Sequence, residues 1–228
     1  MEEEKTASKA TISSYFTGFL NRLGGTLLDP GKTFEQIIAE KRGFLEPLLI
    51  VFLSHGIQGA IIGSFIVRII LAIYALLGEW IGEAPSGLIV SIPIITFFVA
   101  FVGTLILWVI LAGIAHLCAK YIFKGAGSFG QLLKLYGYAS VPYSLIILAT
   151  VLIGVNFTLS PLSLILGLTA IFWMVLIMVV AVDTTYKIGS GKAFISSFVG
   201  PMIVLLILFI ALWLILLGIA AMFGGVAT

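Results

Sequence analysis

Charge is scarce in this chain. Lys, Arg, Asp and Glu make up 10% of its 228 residues, against about 25% in an ordinary soluble domain. With 61% hydrophobic residues and a mean hydropathy of +1.24, water cannot solvate its surface, so lipid must. The formal net charge of +2 is too small for a nucleic-acid binder, and no such partner is expected. The single cysteine, Cys118, lies inside an apolar run. It can form no intramolecular disulfide and says nothing of redox compartment. A start of Met1-Glu2-Glu3-Glu4 lacks the basic opening and immediate apolar stretch of a secretory leader, so none is expected to be cleaved.

What the chain has in abundance is long apolar runs. A helix needs roughly 20 apolar residues to cross a bilayer core. Five stretches qualify: about 47–67, 88–119, 138–156, 161–182 and 198–222. Each carries a proline near its start (Pro47, Pro93, Pro142, Pro161 and Pro201), where a missing N–H costs a helix nothing. The expected fold is an all-α integral membrane protein: a five-transmembrane-helix bundle over 47–228, preceded by a cytoplasmic segment, 1–46, of amphipathic interface helices. The lysines and arginines alternate between the spans. Lys5, Lys9, Arg22, Lys32, Lys41 and Arg42 precede the first span; Lys120, Lys124 and Lys134 lie between the second and third; Lys187 and Lys192 lie between the fourth and fifth. The remaining connections and the C-terminal tail have none. Basic loops stay cytoplasmic, which predicts the N-terminus inside and the C-terminus outside. Arg68, at the outer end of the first span, departs from the pattern. It is expected to snorkel to the outer headgroups or pair with Glu79 or Glu83; the alternative is a buried charge lining a pathway.

Ahead of the first span, Ile12, Tyr15, Phe16, Phe19, Leu20, Leu23 and Leu27 repeat at helical spacing and predict a surface-lying helix over 12–28. A second helix is expected over 30–42, with Asp29 as N-cap, Pro30 as first residue and Phe34, Ile37 and Ile38 on one face. Such helices pack beneath the bundle, lie in the interface, or offer a docking face to a partner.

Several motifs resemble chemistry. Gly125-Ala-Gly127-Ser-Phe-Gly130 matches the dinucleotide fingerprint in letters, but a membrane helix precedes it where a strand is required. Gly31-Lys32-Thr33 and Gly189-Ser190-Gly191-Lys192 miss the phosphate-loop pattern in spacing or in the hydroxyl that would hold magnesium. All three read as turns, and the lysines of the last two as topology signals and contacts to anionic lipid headgroups. No cofactor and no metal are expected. Polar groups inside the membrane are costly and carry more information. His55 and Gln58 share a helix face in the inner half of the first span, His116 lies near the inner end of the second, and Asp183 ends the fourth. These four are a candidate cluster. They serve interhelical hydrogen bonding, or a proton relay or transport path; a metal site would need three or four ligands that no spacing here enforces. Lys120, Lys124, Lys134, Lys187 and Lys192 form a candidate basic face. Gly56, Ala60 and Ser64, Gly59 and Gly63, and Ala100 and Thr104 repeat every four residues as close-packing faces.

The stretch Ser128-Phe129-Gly130-Gln131-Leu132-Leu133-Lys134-Leu135-Tyr136-Gly137-Tyr138-Ala139-Ser140-Val141-Pro142 resembles the middle of the Yip family of five-span Ypt/Rab-GTPase-interacting proteins, in its prokaryotic type. Asp29-Pro30 with Phe34 and Ile37, and Gly191-Lys192-Ala193-Phe194, are similar to that family's pre-membrane segment and last cytoplasmic loop. The resemblance covers about 30–222. It implies the same five-span layout and no catalytic residues. Eukaryotic relatives are linked to Golgi traffic and to prenylated Rab GTPases and have a longer cytoplasmic N-terminus than this one, so their Rab role is not carried over. The expected function is non-enzymatic: a membrane scaffold or adaptor with a basic cytoplasmic face, binding the bilayer and a cytoplasmic protein partner. The alternative is a small transporter, channel or lipid-handling protein using the intramembrane polar residues.

Overall fold

The computed structural model describes the backbone of residues 2–224 and the side chains of 13–77 and 82–218; Glu79 therefore lies outside the described side chains. The helices are α1 (Glu2–Leu28), α2 (Pro30–Ala39), α3 (Leu45–Ile81), α4 (Ser86–Leu117), α5 (Phe129–Tyr138), α6 (Tyr143–Val155), α7 (Ser160–Tyr186), α8 (Ser190–Phe194) and α9 (Gly200–Gly224). α4 runs on into a π-helical turn, Cys118–Ile122, and α8 into another, Ile195–Val199. Five segments are long and apolar enough to cross a bilayer: Leu45–Leu77, Ser86–Ile122, Phe129–Val155, Phe157–Tyr186 and Ser190–Gly218. This is an all-α, multi-pass integral membrane protein.

Local chemistry places the helix ends. Asp29 caps α2, its Oδ1 accepting from Lys32 N at 3.2 Å, with Pro30 as first residue. Asn156 Oδ1 accepts from Thr158 N at 3.0 Å and fixes the short turn between α6 and α7. α7 stops at Lys187, which takes a left-handed φ of 53°. Pro161 stands in a first turn, whereas Pro201 follows the π-turn of a helical run that already began at Ser190. Pro93 is not in a first turn either, because α4 begins at Ser86 and carries Pro93 in its interior.

α3 and α4 form the tightest pair. A Cβ at Gly59 would lie 2.3 Å from Thr96 O, and one at Gly63 would lie 2.8 Å from Pro93 Cα. The small residues thus let two backbones touch where lipid gives no hydrophobic drive. α6 and α7 form a second hairpin, whereas α9 stands largely against lipid, its side chains from Met202 to Leu217 mostly exposed. Burial concentrates at one end of the bundle. There α1, α2, α5, α8 and both π-turns gather around Phe34, Ile37, Leu132, Leu135, Tyr136, Tyr138, Ala115 and Val182. α5 is the most deeply packed, which is why the third span is the least apolar, at a mean hydropathy of 1.9. We call this the capped end. The opposite end carries only the short α3–α4 and α6–α7 connections and the end of α9.

Candidate functional site

The capped end is held by a buried charge cluster. Glu46, in the first turn of α3, faces Arg22 of α1. Arg22 Nε donates to Glu46 Oε2 at 2.8 Å and Nη2 to Oε1 at 2.6 Å, a two-pronged pairing of a guanidinium with a carboxylate. The Tyr138 hydroxyl, at the end of α5, also donates to Glu46 Oε2. Arg22 and Glu46 are 4% and 5% exposed, so lipid and water both stay out. Burial alone would lower the Arg22 pKa; the hydrogen bonds and charge of Glu46 outweigh it and raise it. Around this centre, Arg42 Nε donates to Glu40 Oε2 at 2.6 Å, and Arg42 lies 5.7 Å over the Tyr15 ring. Gln36 Nε2 donates to Glu40 Oε1 at 2.7 Å. These two bonds hold the Glu40 carboxyl below its ordinary value. Lys134 Nζ closes the cluster on Arg42 O at 2.7 Å. The result is a clamp joining α1, the α2–α3 connection and α5.

Sequence reading did not single out Glu46. Its signal was faint: an acid beside Pro47 at the mouth of a span, with Arg42 four residues before it at 3.8 Å but its closest partners far away in sequence. The partners lie 24 and 92 positions away.

The four intramembrane polar residues take separate places. His55 packs against Tyr143 in a tilted ring contact, centroids 3.9 Å apart, where α3 meets α6. Gln58 Nε2 donates to Thr150 Oγ1 at 2.7 Å. His116 Nδ1 pairs with the Tyr186 hydroxyl between α4 and α7. Asp183 Oδ1 accepts from Gly189 N at 2.8 Å and shapes the α7–α8 turn. Only His55 and Gln58 share a face. Arg68 Nη1 donates to Gly154 O at 3.2 Å, near the C-terminal end of α6, where a cation suits the helix dipole. Glu83 is exposed and makes no ion pair with it among the described residues.

All five lysines of the basic face sit at the capped end. Lys134 is engaged as above, and Lys187 Nζ meets Glu35 Oε1 at 2.9 Å. Lys120, Lys124 and Lys192 remain exposed. The glycine run before α5 has a packing role: a Cβ on Gly127 would lie 2.3 Å from Thr185 O. The loop thus lies directly on the end of α7, with no cradle above a helix N-terminus for a pyrophosphate.

The Yip1 domain matches residues 24–214, across every span and the clamp's Glu46 and Tyr138. The chain belongs to the Yip1 domain family. That family consists generally of non-enzymatic membrane proteins. An uncharacterized protein of Methanocaldococcus jannaschii is 31% identical over 116 residues, covering 51% of this chain and 76% of that protein. No solved structure matches the chain. Within the Yip1 match, Tyr136-Gly137-Tyr138 splits its tyrosines between two environments. Tyr138 joins the clamp, while Tyr136 is buried with its hydroxyl unpartnered.

Proposed function

We propose that this Yip1-domain protein is a non-enzymatic membrane scaffold, with its capped end and N-terminus in the cytoplasm and its C-terminus outside. The clamp is the observation that carries this reading. A buried ion pair is an expensive way to hold an amphipathic helix, and it makes sense where the helix must keep a fixed position on the bundle. Phe19 and Leu23 of α1 pack inward on the core, while Tyr15, Phe16 and Leu20 are exposed at its outer side, suited to the headgroup boundary. The exposed Lys120, Lys124 and Lys192 at the same end suit anionic headgroups or an acidic protein partner. The transport alternative needs its polar residues in one path, and their distribution over separate helix pairs favours the scaffold.

Affinity capture in mild detergent tests the role. A reproducible cytoplasmic partner should be recovered by the wild-type protein and lost from a Lys120→Glu, Lys124→Glu, Lys192→Glu variant. Recovery of no reproducible partner, or solute flux through reconstituted vesicles, overturns it.

A further inference from the structure

The bundle holds an intramembrane cavity of about 290 Å³ at the meeting of α3, α4, α6 and α7, beside the α5–α6 turn. Its wall combines two kinds of surface. Trp108, Tyr143 and the thioethers of Met174 and Met178 give broad polarizable faces. His55, Thr104, Ser140 and Tyr143 bring polar groups that make no side-chain hydrogen bond to any described residue. Tyr136, also in the wall, has a fully buried hydroxyl without a partner. A polar group left unpaired away from water is costly, and the Tyr136 hydroxyl is one. Convergence of several on one cavity therefore points to an occupant that pairs with them.

The chemistry narrows the occupant. No carboxylate, lysine or arginine lines the cavity, so no fixed counter-charge awaits an ion. Every unpaired group can donate a hydrogen bond as well as accept one, so carbonyl acceptors on a ligand would be met. About 150 Å³ suffices for benzene, so the space takes a ring with substituents. Leu107, half-exposed on the cavity wall, faces lipid, so entry is lateral from the bilayer. We propose that this cavity binds the head of a membrane-soluble quinone: its carbonyl oxygens accept from His55 and the hydroxyls, and its ring lies among Trp108, Tyr143 and the methionines. This inference does not depend on the scaffold role.

The test uses the full chain in nanodiscs, titrated with a short-tailed 1,4-benzoquinone. Tryptophan fluorescence should quench saturably, and Trp108→Phe should remove the saturable part. His55→Leu should weaken binding at least tenfold, with Thr104→Val and Tyr143→Phe as milder variants if His55→Leu does not fold. An alkylcyclohexane of the same size should not compete. Three results overturn the proposal: quenching that only rises linearly with quinone, as for partitioning into lipid; equal competition by the alkylcyclohexane; or unchanged affinity in the folded variants.

Discussion

Glu46 shows how a single side chain can govern the placement of a whole helix. Removing either member of a buried pair strands the other's charge, at a cost of about 3–5 kcal/mol. Glu46→Ala or Arg22→Ala should therefore destabilise the capped end by that amount in a denaturant titration, with Arg22 becoming cleavable in a limited tryptic digest of the Glu46→Ala protein. The double variant Arg22→Met, Glu46→Leu should recover most of the loss, since a hydrophobic pair of similar volume removes both charges. Glu40 behaves differently because its side chain is 30% exposed. Its pKa is lowered by Arg42 and Gln36, so its contribution is complete above the ordinary carboxylate range and fades as pH falls through the folded value. An exposed pair of this kind contributes about 0.2–1 kcal/mol. The stability gap between wild type and Glu40→Gln should be present at neutral pH and close in acid; a gap that is constant across that range would contradict the assignment.

At the scale of elements, the α3–α4 pair gives the sharpest expectation. Gly59 has no room for a Cβ, since Thr96 O would be 2.3 Å away, while nothing lies within 4 Å of a Cβ at Gly103. Gly59→Ala should cost about 1–3 kcal/mol through forced separation of the backbones, and Gly103→Ala should be neutral, both read from unfolding in detergent. This contact was legible in sequence because small residues spaced by four mark a face. The five spans were legible too, since apolar length is set by bilayer thickness. The α2 cap followed from Asp29-Pro30, whose chemistry is local. The capped end was not legible to the same degree. α5 reads as a short amphipathic stretch, and nothing within it says that Tyr136 and Tyr138 become among the most buried residues of the chain. α1 and α3 also run further than apolar periodicity indicated, because a helix once formed continues through residues that merely tolerate it. The interactions of His116 with Tyr186 and of Gln58 with Thr150 join positions 70 and 92 apart, and no periodicity encodes those distances.

Across the whole molecule, the asymmetry between ends is what the proposed orientation rests on. Every basic connection lies at the capped end, whereas Arg68 is the cation at the other and is bound to Gly154 O. Lysine and arginine bias in short connections sets which side is retained in the cytoplasm, so burial and charge both mark one face, although they arise from different physics. Burial reflects packing after insertion; charge acts during insertion. The two are separated by placing single cysteines in a Cys118→Ala background. Lys124→Cys, in an exposed left-handed turn with φ of 59° at the capped end, should react with a membrane-impermeant maleimide only after cells are opened. Glu83→Cys, exposed in the α3–α4 connection, should react in intact cells. The reverse pattern would place the clamp and the exposed lysines outside the cell, away from any cytoplasmic partner. Charge reversal of Lys120, Lys124 and Lys192 in the same background adds a further arm. If these lysines hold the orientation, reversed molecules should show mixed labelling at both sites while an intact clamp still resists trypsin at Arg22. If they serve only docking, labelling should stay unmixed and partner capture alone should fall.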